Sequence, residues 1–349
     1  MRKPRVSVVI PTYNKAPYLR RTLMSWRHQR YADYELVVVD DGSSDATRSV
    51  LSEFEGRLPI RCVSSEHGGR SVARNRGLEV ARGTTIVFSD DDRIVSPQFL
   101  EQHVEAGAGG GVVIGWQRGV LVELRSDVSL SCRQIAAVRR VVPGWGADGE
   151  TGDSLEVLSA EAIAADTLAV DALAHDDDWF QRFVVPAVKS YGDDISRCAI
   201  AWMFGTTGNL SAPAALIADV GGFDESLTGW GVEDTELHYR LVRAGAGTFV
   251  SRAAVNYHQN HPRNDSDLMH EWVQNALRMY RKHESLEVAL FLRVVLGKLS
   301  LAEVDQIVRE ARALPGSALV ANFQTLQHGH VLQLAESRRD TQQWIGRRS

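Results

Sequence analysis

The chain has 349 residues and a formal net charge of −5, with 44% hydrophobic and 24% charged residues. This composition is typical of a globular protein with room for about two domains. The slightly acidic charge provides no electrostatic footprint for nucleic acid, so we expect no nucleic-acid partner. No apolar run approaches the roughly 18 residues of a transmembrane segment, and the 3 cysteines have no paired spacing, which favours a reducing cytoplasm.

Short β-rich runs alternate with amphipathic stretches in the first 115 residues, which is the pattern of a parallel sheet flanked by helices. The predicted strands span residues 6–10, 35–39, 60–63, 85–88 and 112–114. Leu19, Leu23 and Trp26 illustrate the helical spacing of the apolar residues between two strands. Because parallel sheets bind ligands at the carboxyl ends of their strands, we expect the functional residues directly after each strand.

The rest of the chain has a less regular pattern. Residues 119–197 are polar and alanine-rich with a glycine-containing loop at 143–152, which predicts an inserted, mostly helical region. The elements predicted after it lie at 202–210, 213–220, 233–244 and 248–250. Gly245 is expected to end the third of these, a helix. Beyond Pro262 the chain is predicted to be largely helical.

Acidic residues follow two of the predicted strands. Residues 40–41 precede a glycine turn, and the triplet at 90–92 follows the strand at 85–88. Three adjacent acids repel one another without a counter-charge, so a divalent cation held by a carboxylate and by ligand phosphates explains the triplet. A solvated acidic turn is the alternative for the triplet. For residues 40–41 the alternative is a turn followed by a helix cap at Asp45.

Two further segments carry candidate site residues. Glu233 and Asp234 begin a predicted helix, whose dipole keeps carboxylates ionised and able to accept protons, although a plain helix cap has the same sequence. Trp230 stands between two glycines just before them, which is typical of an aromatic wall against a sugar. Downstream, His258 or His261 can supply an imidazole to the metal, and His258 is favoured.

Most of the candidate residues named so far belong to six motifs. In chain order they are Pro11-Thr12-Tyr13-Asn14, Val39-Asp40-Asp41-Gly42-Ser43, Ala73-Arg74-Asn75-Arg76-Gly77, Asp90-Asp91-Asp92, Gly222-Phe223-Asp224-Glu225 and Gly229-Trp230-Gly231-Val232-Glu233-Asp234. The motifs closely resemble those of the family 2 glycosyltransferases of the GT-A fold. The second half of the chain also resembles the catalytic segment of galactosyltransferase-type domains.

The resemblance implies a fold and a domain organisation. The expected fold is α/β, a GT-A fold whose Rossmann-like nucleotide-binding sheet with flanking helices is joined by a helical insertion and a C-terminal helical extension. Residues 1–118 would form the nucleotide-sugar-binding half. Residues 119–262 would form the acceptor-binding and catalytic half, with the insertion near 119–197, and residues 263–349 the C-terminal extension.

The resemblance also implies the roles of the residues on the donor side. Pro11, Tyr13 and Asp41 would hold the uracil and ribose of a UDP-sugar. Further residues expected at the nucleotide are Asn14, Arg74, Asn75 and Asp91. The metal ligands expected for Mn²⁺ or Mg²⁺ are Asp90 and Asp92 of a DxD motif, Asp92 being the more direct one, together with His258.

On the acceptor side, Asp234 matches the general base, and Glu233 and Trp230 match positions that contact the acceptor or donor sugar. Arg93 departs from the family pattern, which often has another acid there, and either pairs with a phosphate or points to solvent. The implied reaction is inverting, metal-dependent transfer of galactose, N-acetylgalactosamine or N-acetylglucosamine from UDP to an acceptor hydroxyl by single displacement. The acceptor stays open among a glycan, a natural product and a peptide.

Other interpretations stay open at this point. Some retaining N-acetylgalactosaminyltransferases share a Trp-Gly-x-Glu-Asp element, and Asp234 would then position substrate without removing a proton. A catalytically inert UDP-sugar-binding scaffold is another class, against which the pairing of the acidic metal motif with Glu233 and Asp234 argues. At the C-terminus, the apolar residues Leu286, Leu290 and Val294 either pack on the core or form a homodimer interface.

Overall fold

The computed structural model describes residues 3–125, 154–165, 168–261 and 265–314, with shorter runs inside 135–142 and 316–329. The strands are β1 (Val6–Thr12), β2 (Tyr34–Asp40), β3 (Ile60–Ser64), β4 (Thr85–Phe88), β5 (Arg93–Val95), β6 (Val112–Val120), β7 (Glu123–Arg125), β8 (Ser154–Glu156), β9 (Ala174–Asp176), β10 (Leu210–Pro213) and β11 (Thr248–Gln259). The helices are α1 (Ala16–Trp26), α2 (Thr47–Phe54), α3 (Arg70–Val80), α4 (Phe99–Ala106), α5 (Ala160–Ala165), α6 (Leu168–Leu173), α7 (Val185–Tyr191), α8 (Ala214–Asp219), α9 (Glu233–Arg243), α10 (Asp265–His283), α11 (Leu286–Val295) and α12 (Leu301–Ala313). The predicted α/β architecture is confirmed.

Nine strands of the described residues form one sheet in the order β3-β2-β1-β4-β10-β6-β11-β5, with β9 beside β6. β1 pairs in parallel with β2 and β4, and β2 pairs in parallel with β3, as the sequence pattern predicts. β5, β9 and β10 run antiparallel to their neighbours, so the sheet is mixed rather than parallel throughout. The residues of a short strand carry no signal for the direction of a partner that is distant in sequence.

Helices cover both faces of β1 and β2. On one face, Val8 and Ile10 share a hydrophobic cluster with residues of α1 and α2. On the other face α3 lies so close to the sheet that a Cβ at Gly77 would come within 2.5 Å of a Val9 methyl carbon. Glycine is therefore required at position 77. Because α3 lies so close to the sheet, Arg74, one turn earlier on α3, reaches Asp90 beyond the end of β4.

The region at 119–197 is only partly helical. β7 and β8 pair as a separate two-stranded sheet, and β9 joins the main sheet through β6. The described residues of this region also form α5, α6 and α7, so helices are present as predicted. The strands among them were not predicted, because three-residue strands are too short to show a period of two in the sequence. The glycine-containing loop predicted at 143–152 lies outside the described residues.

The C-terminal helices pack against the second half of the chain. Leu290, Phe291 and Val294 of α11 are buried, and the ring of Phe291 contacts that of Trp202 at a centroid distance of 5.2 Å. The alternative of core packing is thus the one the structure adopts. These side chains are covered within the chain itself, which leaves them no surface for the homodimer interface. Within the described residues, no helix combines the length and the apolar character needed to cross a membrane.

Candidate active site

A cavity of about 490 Å³ lies at the carboxyl ends of β1, β2 and β4, where a sheet of this kind binds ligands. Among the predicted site residues, its walls contain Pro11, Tyr13, Asp41, Arg74, Asp90, Asp91, Asp92 and Trp230. The other predicted site residues, all of them described, lie outside its walls: Asn14, Asn75, Glu233, Asp234 and His258. One cavity therefore brings together motifs that are up to about two hundred residues apart in the sequence.

Asp41 organises the loop that leads into α3. Its Oδ1 accepts a hydrogen bond from the N–H of Gly68 and its Oδ2 one from the N–H of Gly69, each at 2.9 Å. The same Oδ2 lies 2.9 Å from Nδ1 of His67, whose ring stacks on Tyr13 with centroids 4.0 Å apart. Tyr13 keeps 43% of its surface exposed, and both stacked rings line the cavity.

Asn14 and Asn75 tie loops to one another. Oδ1 of Asn14 accepts a hydrogen bond from the N–H of Ser44 at 2.8 Å, which joins the loops after β1 and β2. The amide of Asn75 donates to the carbonyl of Phe223 at 3.0 Å and accepts from its N–H at 2.8 Å. Direct contact of either asparagine with the nucleotide stays a prediction.

Although Ala46 is the residue directly before α2, Asp45 bonds to the first residues of two helices. Its carboxylate accepts hydrogen bonds at 3.0 Å from the N–H groups of Thr47 and Ala16, at the starts of α2 and α1. The carboxylate thus satisfies backbone donors that have no partner inside either helix.

Asp92 is the centre of a candidate metal cluster. Its Oδ2 lies 3.1 Å from Nε2 of His261 and 3.6 Å from Nε2 of His258. Among the described residues, one ligand atom of each lies within 4.8 Å of the others, as in a three-ligand site. β11 brings the histidines there, because the N–H of Gln259 donates to the carbonyl of Asp92 at 2.9 Å. His261, which the sequence ranked second, is the closer of the two and also lines the cavity.

Asp90 belongs to a different network. Its Oδ1 accepts a hydrogen bond from Nη2 of Arg74 at 2.9 Å, and Nη1 of Arg74 donates to Oε1 of Glu233 at 3.0 Å. Arg74 is 3% exposed and its bond to Glu233 is buried, whereas the side chain of Asp90 keeps 29% of its surface exposed toward the cavity that it lines. Burial by itself raises the pKa of Asp90, but the guanidinium of Arg74 brings it below the usual value. Among the described residues the metal cluster contains Asp92 and not Asp90.

Asp234 lies in the first turn of α9, next to Glu233. Its Oδ1 accepts a hydrogen bond from the N–H of Thr235 at 2.7 Å, and its Oδ2 one from the N–H of Thr207 at 3.3 Å. Burial and the negative charge of Glu233 raise the pKa of Asp234 to about 7. A carboxylate with a pKa near neutrality is suited to act as a general base. Burial and the negative charge of Asp92 likewise raise the pKa of Asp91 to about 7.

The loop that carries Trp230 is braced by α10. Oε2 of Glu271 accepts a hydrogen bond from the backbone N–H of Trp230 at 2.8 Å. Nδ2 of Asn275 donates to the carbonyls of Thr228 and Gly231, each at 2.9 Å. α10 therefore holds the path of the chain into α9, the helix that begins with Glu233 and Asp234.

Several residues of the site were not predicted from the sequence. They are Lys15, His67, Glu271 and Asn275. Lys15 directly follows the first motif, which was the only available signal, whereas the other three take part through tertiary contacts alone. Arg93 is buried rather than solvated: its side chain is 12% exposed, with Nε 3.8 Å from Oδ1 of Asp92.

The fold and the site define a class of protein. A cavity at the carboxyl edge of the sheet, an acidic triplet after β4 and a carboxylate at the start of α9 are the features expected of a GT-A glycosyltransferase. The model described as glycosyl transferase family 2 matches residues 7–140, and the model described as N-terminal domain of galactosyltransferase matches residues 197–262. The chain belongs to the family 2 glycosyltransferases and contains a galactosyltransferase-type segment.

Curated relatives agree with this membership. Validoxylamine A glucosyltransferase of Streptomyces hygroscopicus subsp. jinggangensis (strain 5008) is 36% identical over 303 residues, which are 83% of this chain and 64% of the relative. Chondroitin synthase of Escherichia coli is 27% identical over 312 residues, 83% of this chain and 41% of the relative. The chain thus spans less than two thirds of the length of either relative.

Solved structures show the same fold. The mannosyltransferase PcManGT from Pyrobaculum calidifontis, in complex with GDP-Man and Mn²⁺, superposes with a TM-score of 0.54 at 18% identity, over 99% of this chain and 84% of that chain. S. aureus TarS in complex with UDP-GlcNAc superposes with a TM-score of 0.52 at 16% identity, over 94% and 81%. The predicted GT-A fold is therefore confirmed.

Proposed function

We propose that the protein transfers one hexose from a UDP-sugar to an acceptor hydroxyl, with inversion by single displacement and with Asp234 as the general base. The bridge made by the buried Arg74 supports this proposal, because it joins Asp90 of the acidic motif to Glu233, the neighbour of Asp234. Donor-side and acceptor-side residues then belong to one continuous network instead of two separate sites.

The donor side suits a UDP-sugar. The stacked rings of Tyr13 and His67 offer a flat surface for a base such as uracil, beside Pro11 and Asp41. The TarS complex contains UDP-GlcNAc, which supports this choice of nucleotide. Galactose, N-acetylgalactosamine and N-acetylglucosamine follow from the galactosyltransferase-type segment. Glucose joins them in the test panel because the 36% identical relative is named a glucosyltransferase.

The metal is proposed from the donor set. Asp92, His258 and His261 combine one carboxylate oxygen with two imidazole nitrogens, which suits a transition ion such as Mn²⁺ better than Mg²⁺, an ion that prefers oxygen ligands. A cation bound there supplies charge neutralisation for the diphosphate leaving group. The Mn²⁺ in the PcManGT complex supports the same choice.

The chain's own residues supply the acceptor chemistry. Asp234 takes the proton of the acceptor hydroxyl as that hydroxyl attacks the anomeric carbon of the donor sugar. Burial, and after it the negative charge of Glu233 that Arg74 holds in place, keep the pKa of Asp234 near neutrality. Trp230 forms a wall of the cavity against which a sugar ring can pack. The acceptor is a glycan, a natural product or a peptide.

The experiment is a transfer assay with a panel of UDP-sugars and acceptors. The expected result is an acceptor heavier by one sugar with Mn²⁺ and unchanged with EDTA. NMR of the new linkage shows the inverted anomer, whereas retention would favour the alternative in which Asp234 only positions substrate. Binding of UDP-sugar with neither UDP release nor transfer would support the inert scaffold.

The two described cysteines, Cys62 and Cys198, are free, in keeping with the predicted cytoplasmic location.

A further inference from the structure

A lysine side chain stands at the candidate metal cluster. Nζ of Lys15 lies 2.8 Å from Oδ2 of Asp92 and 2.8 Å from Nε2 of His261. These two ligand atoms are themselves 3.1 Å apart. The ammonium group therefore bridges two of the atoms that would hold a metal ion.

The spacing of those two atoms is that of neighbouring metal ligands. Two ligands at about 2.1 Å from a metal and at right angles to each other are about 3 Å apart. With the proton of His261 on Nδ1, an ammonium group uses the same lone pairs, on Oδ2 and Nε2, for its hydrogen bonds. A lysine and a divalent ion therefore cannot occupy the pair at the same time.

The position of Lys15 has an electrostatic reason. The side chain of Asp92 is 6% exposed, and a carboxylate buried to that extent needs counter-charges. Nε of Arg93 lies 3.8 Å from its Oδ1, and Lys15 donates to its Oδ2. The side chain of Lys15 is 28% exposed and lines the same cavity, so the ammonium group reaches Asp92 from the open side. Its flexible four-carbon stem allows it to leave without a change in the backbone.

We propose that Lys15 is a built-in counter-cation that occupies the metal position until a divalent ion and the donor's diphosphate bind, and then moves onto the diphosphate. This inference rests on the proposed function, because it requires a metal ion and a nucleotide diphosphate in one cavity. Lys15 opposes metal binding while no nucleotide is present. The diphosphate removes that opposition by giving the ammonium group a new anionic partner, so metal and nucleotide bind cooperatively.

The test measures the two affinities separately. Free Mn²⁺ is followed by its EPR signal at one fixed pH while Mn²⁺ alone is titrated into wild type, Lys15→Met and Lys189→Met. Lys189→Met is the matched control, because it removes an exposed lysine of α7 outside the cavity. Lys15→Met is expected to bind Mn²⁺ at least about tenfold more tightly than the other two proteins. UDP titrated into the Mn²⁺-saturated proteins is expected to bind Lys15→Met several-fold more weakly.

The proposal requires that Lys15→Met strengthens Mn²⁺ binding and weakens UDP binding. Damage to the local structure would instead weaken both. Lys15→Met is also expected to melt below wild type without metal and to recover with Mn²⁺, which separates a folding defect from a changed site. Equal or weaker Mn²⁺ binding by Lys15→Met overturns the proposal for Lys15. In that case the proposed function still stands if wild type binds UDP in a Mn²⁺-dependent way. If no protein binds Mn²⁺ and sugar transfer proceeds in EDTA, both the metal of the proposed function and this role of Lys15 are overturned.

Discussion

The loops that end β1, β2 and β4 and the loop that precedes α9 supply the donor and acceptor sides of one site, but different contacts hold them. The donor-side loops are anchored by the sheet and by their neighbours, as when Asp41 accepts hydrogen bonds from the N–H groups of Gly68 and Gly69. The acceptor-side loop depends on α10, through Asn275 and Glu271. The start of α3 also contributes, since Arg70 donates to the carbonyl of Gly229 at 3.1 Å. The proposed donor side is thus built into the sheet, whereas the proposed acceptor side also needs a helix distant in sequence.

The acceptor-side loop also carries backbone strain. Gly231 and Val232 have φ angles of +88° and +76°, a region that a β-branched residue such as valine rarely adopts. Such a residue costs about 1–3 kcal/mol and persists only when its surroundings impose it. The side chain of Val232 is buried, and Asn275 holds the carbonyl of Gly231. The comparison therefore teaches that α10 supports the loop of the proposed acceptor side, although it lies outside the matched residues 197–262.

The largest expected effect is a loss of transfer rate at the proposed acceptor side, with donor binding unchanged. Asp234→Asn is expected to lower the transfer rate by about 10² to 10⁴, because the acceptor hydroxyl loses its base. Calorimetric affinities for Mn²⁺ and UDP should stay at the wild-type values. Asp219→Asn, at an exposed aspartate of α8, is the control and should transfer normally. A comparable loss of UDP affinity in Asp234→Asn would move this residue to the donor side.

A change on the proposed donor side should instead weaken the binding of UDP. Asp92→Ala is expected to lower the Mn²⁺-dependent UDP affinity about 10- to 100-fold, because it removes the carboxylate that the histidines face. Calorimetry with and without Mn²⁺ measures the difference. Asp178→Ala, at an exposed aspartate, should behave as wild type. Normal Mn²⁺-dependent UDP binding by Asp92→Ala would argue strongly against the metal assignment.

The dependence on α10 can be tested directly. Asn275→Ala is expected to lower kcat about tenfold, because the loop before α9 relaxes and misplaces the base. The free energy of unfolding should fall by about 1–3 kcal/mol, since two carbonyls lose their donor. UDP affinity with Mn²⁺ should be unchanged, and Gln274→Ala on the same helix is the control. If UDP affinity and kcat fall together, α10 supports the whole site and not its acceptor side.

The smallest expected effect is a shift in pH dependence. The base must be ionised, and the pKa of Asp234 is raised to about 7, so kcat should be full above that pH and decline as the pH falls through it. Glu233→Gln removes a neighbouring negative charge, so the pKa of Asp234 should fall and the decline should move to lower pH. A pH profile of kcat in both proteins measures the shift. An unmoved profile would assign the decline to another group, such as Asp91.

Much of the donor side was predictable because its information is local. The strands in the first 115 residues show as β-rich runs, and acids directly after a parallel strand lie at the ligand-binding edge. Asp41 and Asp92 were found in this way. The choice between His258 and His261 was not predictable, because it depends on how the end of β11 pairs with the chain at Asp92.

The sequence by itself determined the α/β class, the family motifs and the acids that follow β2 and β4, since each of these depends on residues close together in the chain. Only the tertiary structure decided that Arg74 joins Asp90 to Glu233, that Lys15 bridges Asp92 and His261, and that Asn275 holds the loop before α9. These contacts join residues between 16 and 246 positions apart. No periodicity or spacing encodes them, because they arise when packing of the core brings separate elements together.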